Sequence, residues 1–442
     1  MYLQISDLKK ELILKKGILH FDFTASALAL KCVEKEISKI LPTYANTHSD
    51  SSLNSFKTQQ IYEQARKDIK KSLSLDENFA LIACGTGSSS AIKKFQELIG
   101  IYIPPLVKER YFTQIDKNTL PLVIVGPYEH HSNELSFREG LCECIRIPLD
   151  KNGEIDFDFL EKTLQKNKKR KIIASFSLAS NVTGILSDYK RISEMVRKFK
   201  GIVAFDASSF IPYKNISCQY YDALFISSHK LIGGIGGSGL LAIKKDLCGN
   251  KPSFAAGGTV GYVSRTSQCY LCNEEALEEG GTPGILQLIR ASLAFKIKDS
   301  IGIKNIEKKE EILKDYFFEK LKTIPNLILY AKNLKTRLPI FAFNIKGISP
   351  FDIAYELSKK YHIETRAGCA CAGPYGHDLL GLKDNQKLKT KPGWLRISLH
   401  YTHEKEDIEC LLYKSDADLD GESVNTVRTQ HTTKTKKNLK MT

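Results

Sequence analysis

The sequence predicts an α/β fold, a mainly parallel sheet with helices on both faces, followed by a smaller α+β unit. Two observations carry that expectation. Apolar runs of strand length alternate with longer helical patterns through the first two thirds of the chain, as parallel crossovers require. After Gly284 that rhythm gives way to long helical stretches and a few separate strand-like runs. At 442 residues and 42% hydrophobic composition, the chain is long enough for more than one packed core.

In chain order, FALIAC (79–84) precedes the helical SSSAIKKFQELIGIYI, and LPLVIVGP (120–127) precedes another helical stretch. KIIASFSLA (171–179) leads to DYKRISEMVRKFK, and GIVAFDAS (201–208) and DALFISSHK (222–230) follow. Ligands in such sheets bind beyond the carboxyl ends of the strands. Gly85, Thr86, His130, Asn181, Asp206 and Lys230 each follow a strand-like run within a few positions. From 285 onward come a helical stretch (GILQLIRASLAFKIKDSIG), a strand (LPIFAFNIKG), a helix around DIAYELSKKY, and WLRISLHYTHEKEDIECLL. The expected division is an N-terminal segment (1–20), a large domain (21–284), and a linking helix with a small C-terminal domain (285–413). Residues 414–442 are rich in Asp, Ser, Thr, Asn and Lys and read as a disordered tail.

The formal charge of +15 is spread along the chain with no aromatic-interleaved basic stripe, so it reads as solvated surface and argues against a nucleic-acid partner. No run is apolar enough to span a membrane, and charges interrupt the N-terminal segment too often for a signal peptide. The 11 cysteines are odd in number and scattered, which fits reduced thiols in a cytoplasmic protein.

The chemistry concentrates in a few strings. Ser227-Ser228-His229-Lys230 follows the apolar DALFI and precedes a glycine-rich run, 233–239. A lysine facing a cleft there can lose its proton more readily and form an imine with an aldehyde. The run contains a literal G-x-G-x-x-G, but it leads into the strand-like LLAIKK, whereas the dinucleotide fingerprint opens a helix. Asp206 ends a strand about two dozen residues earlier and suits the ring nitrogen of pyridoxal 5'-phosphate, which works as an electron sink only when protonated. Cys84-Gly85-Thr86-Gly87-Ser88-Ser89-Ser90 lies between a strand and a helix, where backbone N–H groups and hydroxyls can receive a phosphate. His130 and His131 follow a strand, where an imidazole can stack on an aromatic cofactor and move protons. Cys269-x-x-Cys272 with Cys142, Cys144, Cys369 and Cys371 admits a zinc or iron–sulfur reading, but C-x-C is not the usual ligand spacing.

Taken together, CGTGSSS, EHH, SNVTG, FDAS, SSHK, EGGTP, TRAGCACAGP and WLRISLHY resemble, in order, the motifs of the class V aminotransferases, fold-type I enzymes that use pyridoxal 5'-phosphate. The likeness runs from about Phe21 to about Leu412, and within the family the chain resembles the cysteine desulfurases. The resemblance implies a homodimer that converts L-cysteine to L-alanine and keeps the sulfur as an enzyme persulfide for an acceptor protein. It implies Lys230 as the Schiff-base lysine and Gly85, Thr86, Gly87, Ser88, Ser227 and His229 toward the phosphate. It implies His130 over the ring, Asp206 at the pyridine nitrogen, and Thr282 reaching the phosphate of the neighbouring subunit. Asn181, Arg366 and Arg396 would bind substrate, with Arg396 as the carboxylate clamp, and Cys371 would take the sulfur. Two positions depart from the pattern: Ser209 stands where the family has Gln, and Arg366-Ala367-Gly368-Cys369-Ala370-Cys371-Ala372 lacks the usual histidine and adds a cysteine. That second segment resembles molybdenum-cofactor-sulfurase relatives. Transamination, β-elimination or a partner-dependent sulfur relay are the alternative activities.

Overall fold

The computed structural model describes residues 3–47, 49, 51–111, 119–384, 388 and 391–416. Its centre is a seven-stranded sheet in the order Phe79–Cys84, Gly239–Lys244, Ala223–Ser227, Ile202–Asp206, Ile172–Ser177, Leu122–Val125, Glu143–Arg146. Six of these strands run parallel, and Gly239–Lys244 runs against both its neighbours. The reversal follows from the short connection after Ala223–Ser227, which holds one turn of 3-10 helix and a glycine-rich loop instead of a crossover helix. Gly239 is required at the start of the reversed strand. A Cβ there would lie 2.3 Å from the carbonyl oxygen of Gly87 and 2.5 Å from that of Cys84.

The inner strands are mostly apolar because both faces of the sheet are covered. Leu81, Ile124, Phe176, Phe205 and Ile226 join one core, whereas Ile82, Val123, Ile173, Ala204 and Phe225 join the other with Ile92, Phe95 and Phe137 of the covering helices. This alternation is the period of two expected for a sheet between two helical layers. Glu143–Arg146, an edge strand with half-buried residues, had no apolar run to announce it. The helical stretch expected from 284 divides at Gly302 into Ile285–Ile301 and Ile303–Leu321.

A second, antiparallel sheet has the order Leu327–Leu329, Ile340–Ile345, Trp394–Ser398, Arg366–Gly368. Its core contains Phe317, Phe341, Leu395 and Ile397. The segment Leu19–His20 pairs in parallel with Ile363–Glu364, and Ser398 N–H donates to the Phe21 carbonyl, so residues near 22 lie against this sheet. The helix Lys405–Asp416 carries the described backbone past residue 413, and the expected tail otherwise lies outside the described residues. No helix among the described residues is long and apolar enough to cross a membrane.

Candidate active site

A cavity of about 400 Å³ opens where the parallel strands end, lined by Thr86, Gly87, Ser88, His130, Asn181, Asp206, Ser209, Ser227, His229, Lys230, Arg366, Cys371 and Arg396. Five of the six parallel strands contribute through residues at or just after their carboxyl ends, and the edge strand Glu143–Arg146 contributes none. The helix Ser88–Leu98 starts at this cavity with Gly87 as its cap, and the Ser88 N–H donates to Ser227 Oγ at 2.9 Å. Ser227 Oγ lies 3.2 Å from Ser208 Oγ, so the 84–90 loop and the two strand ends at 206 and 227 share one hydroxyl network. Gly85 takes φ +48° and sets the turn into this loop without lining the cavity.

Lys230 closes the 3-10 turn Ser228–Lys230. Burial, the largest influence, lowers its amine to about 8; Asp206 opposes the shift and Arg396 adds to it. Asp206 is buried, and its Oδ1 accepts the Ser208 N–H at 2.9 Å, which fixes the carboxylate. His130 caps the helix His131–Glu139, its Nδ1 accepting from Ser132 N–H at 3.2 Å, so the ring proton resides on Nε2. Burial and the Lys230 charge lower His130 to about 4, and His229 is lowered to about 4 for the same reasons. Both imidazoles are therefore neutral near pH 7.

Arg396 is 2% exposed and donates from Nη1 to the Asn181 carbonyl at 2.9 Å and from Nη2 to Asp22 Oδ1 at 2.5 Å. Its Nε, and the Oδ1 of Asn181, are buried with no protein partner. Arg366 stands directly across the sheet from Arg396, and its Nε donates to Asp22 Oδ2 at 2.8 Å. Like charges at facing positions repel, and Asp22 is the counter-ion that holds both guanidinium groups in place. The sequence reading passed over Asp22, whose only local signal was a charge between the apolar Phe21 and Phe23.

Glu129 was also passed over. It is buried beside His130 and accepts from the Ser177 N–H at 2.8 Å, from Ser177 Oγ at 2.7 Å and from Asn133 Nδ2 at 2.5 Å. Burial pushes its carboxyl up to about 7 against those bonds.

The two loop cysteines separate clearly. Cys371 is exposed and lines the cavity, whereas Cys369 is half-buried and packs against the main core. Thr282 is exposed, accepts from Asn46 Nδ2 at 3.2 Å, and does not line this chain's cavity. No cluster of three or more metal-ligating side chains exists among the described residues.

A model of the class-V aminotransferases matches residues 19–411. The chain belongs to the class-V aminotransferase family. Among curated relatives of this class-V protein, a probable cysteine desulfurase of Pyrococcus abyssi is 28% identical over 416 residues, covering 92% of this chain and 95% of that protein. Another probable cysteine desulfurase, from Halalkalibacterium halodurans, is 28% identical over 65% of this chain and 68% of its own length. Two solved structures share the fold of this class-V chain. A cysteine desulfurase from Thermococcus onnurineus superposes with a TM-score of 0.78 at 23% identity, covering 96% of this chain and all of that one. One from Escherichia coli gives a TM-score of 0.76 at 20% identity, covering 95% and 99%.

The residues present fit pyridoxal 5'-phosphate. A helix N-terminus with Thr86, Ser88, Ser227 and His229 suits the phosphate, a neutral imidazole at 130 suits a ring face, Asp206 suits a protonated ring nitrogen, and Lys230 suits the aldehyde.

Proposed function

We propose that this protein is a pyridoxal-phosphate-dependent cysteine desulfurase that turns L-cysteine into L-alanine and stores the sulfur as a persulfide on Cys371. The observation that carries the reading is that Lys230, Asp206, His130, Arg396 and the exposed thiol of Cys371 line one cavity. The names of the relatives support it.

When bound, the cofactor supplies an electron sink for the substrate's α-carbon. The chain's residues do the rest. Asp206, fixed by the Ser208 N–H, offers a negative charge to hold a proton on the ring nitrogen. Lys230, with its amine lowered to about 8, exchanges protons near neutral pH at Nζ. His130 carries a proton on Nε2 beside it. Arg396 takes the substrate carboxylate through its remaining N–H groups, including the unpartnered Nε. Cys371 Sγ attacks the substrate sulfur. The substrate's Cβ–S bond breaks as the S–S bond to Cys371 forms, and the electron pair left on Cβ takes a proton, so cysteine and thiol become alanine and persulfide.

Product analysis tests the reading. Equal amounts of alanine and sulfane sulfur from L-cysteine are expected; pyruvate with ammonia would assign an elimination instead, and the absence of both without an added partner would assign a relay role.

Arg396→Ala is expected to lower kcat/KM for L-cysteine by roughly 2–4 kcal/mol of transition-state stabilisation, seen mainly as a raised KM. Arg396→Lys restores little, because an ammonium does not reproduce the planar fork. Steady-state kinetics check this, and an unchanged KM in the alanine variant would move the carboxylate site elsewhere.

The proposal includes a homodimer in a reducing cytoplasmic compartment, which suits a thiol nucleophile. Thr282 is exposed away from its own cavity, and Phe254, Tyr262 and Val263 are 73%, 64% and 58% exposed, apolar area that suits burial against a second copy. Gel filtration of the holo-protein is expected to show a dimer, and Thr282→Ala is expected to lose cofactor faster on dialysis. A monomer that retains its cofactor contradicts this.

A further inference from the structure

Ala370 and Cys371, neither with the freedom of glycine, adopt left-handed backbone conformations at φ +50° and +55°. Each such residue costs on the order of 1 kcal/mol. Two in succession persist only where other bonds hold the chain. The turn closes on itself through the Ala372 N–H, which donates to the Cys369 carbonyl at 3.0 Å. From outside it, Asn181 Nδ2 donates to the Ala370 carbonyl at 2.7 Å, and two further bonds come from one residue. The His131 N–H donates to the Cys371 carbonyl at 2.7 Å, and His131 Nε2 accepts from the Gly373 N–H at 2.7 Å.

We infer that His131 is a positioning residue that latches the cysteine loop and holds Cys371 where its thiol faces the cavity. The inference rests on the desulfurase reading. His131 does not line the cavity, whereas its neighbour His130 does. The N-terminal end of the helix His131–Glu139 therefore serves both sides of the reaction, its cap His130 toward the cofactor site and His131 toward the nucleophile. The fit at Gly373 is close: a Cβ there would lie 2.9 Å from His131 Nε2, so a side chain at 373 would push the imidazole off its bond. Nε2 accepts only while unprotonated, and burial holds this imidazole below the usual histidine value.

The test measures alkylation of Cys371 by iodoacetamide in the holo-protein, read by peptide mass spectrometry, beside kcat and KM for alanine formation. In His131→Ala, Cys371 is expected to alkylate several-fold faster, and kcat to fall by roughly 10–100-fold, the scale of a displaced catalytic group, with KM unchanged. His131→Gln, which can present an acceptor near the position of Nε2, restores both. Gly373→Ala reproduces the defect in the unsubstituted background and adds nothing in the His131→Ala background, as a coupled pair requires. Unchanged alkylation in His131→Ala, a glutamine variant as impaired as the alanine one, or loss of the cofactor in either would overturn the latch. Should the alanine variant not fold, the glutamine and Gly373→Ala proteins carry the same test. If the unsubstituted protein releases no alanine, the desulfurase reading fails on its own, and the alkylation rates still decide the latch.

Discussion

Cys371→Ser is expected to abolish alanine formation while leaving the cofactor bound and the spectral response to L-cysteine intact. A hydroxyl is a far weaker nucleophile than a thiolate at neutral pH and forms no stable bond to the substrate sulfur, so the loss is expected to exceed roughly 1000-fold in kcat. Cys369→Ser is the control. Cys369 packs against the core and does not line the cavity, so its first turnover is expected to match the unsubstituted protein. Rapid-quench measurement of alanine separates the two variants. Full alanine production by Cys371→Ser without added thiol, or its loss in Cys369→Ser alone, would move the sulfur to the other cysteine.

Lys230→Ala is expected to be equally severe and to act earlier. On the proposed reading it removes both the amine that would anchor the cofactor and the group that would move protons at the α-carbon, and residual activity is expected to be roughly 1000-fold or more below that of the parent. Borohydride reduction of the holo-protein is expected to fix the pyridoxyl group on the peptide containing Lys230. No such label forms in the alanine variant. The lowered amine also gives a pH signature. Burial disfavours the ammonium, so in the cofactor-free protein the reactive neutral amine increases as pH rises through about 8 instead of near 10.5. Cofactor attachment is accordingly expected to accelerate across that lower range and level off above it. A rate still climbing steeply above pH 10, or a label on another lysine, would contradict the assignment of Lys230.

The sheet and the residues at its carboxyl ends were legible because each signal is local. Ala223–Ser227 is a fully buried strand, and the lysine that closes the turn after it enters the cavity by continuity of the backbone. Asp206 and His130 are placed in the same way by the ends of GIVAFD and LVIV. The reversed direction of Gly239–Lys244 depends on the length of a connection and carries no periodicity. Asp22 was illegible for a different reason. Its partner Arg366 is 344 positions away, and only the pairing of Leu19–His20 with Ile363–Glu364 brings the two together. The difference between Cys369 and Cys371 depends on left-handed backbone at 370 and 371, which a sequence without glycine at those positions does not announce. The two adjacent histidines posed the same difficulty, since the start of a helix turns 130 toward the cavity and 131 toward the loop.

The central claim is that Cys371 receives the substrate sulfur at the cavity of Lys230. Peptide mass spectrometry of the anaerobic holo-protein after one equivalent of L-cysteine tests it most directly. The expected result is the added mass of one sulfur atom on the peptide containing Cys371, at thiol 371 by fragmentation, with one equivalent of alanine in solution. Sulfur on a different peptide, or pyruvate and ammonia with no gain in mass, would contradict it.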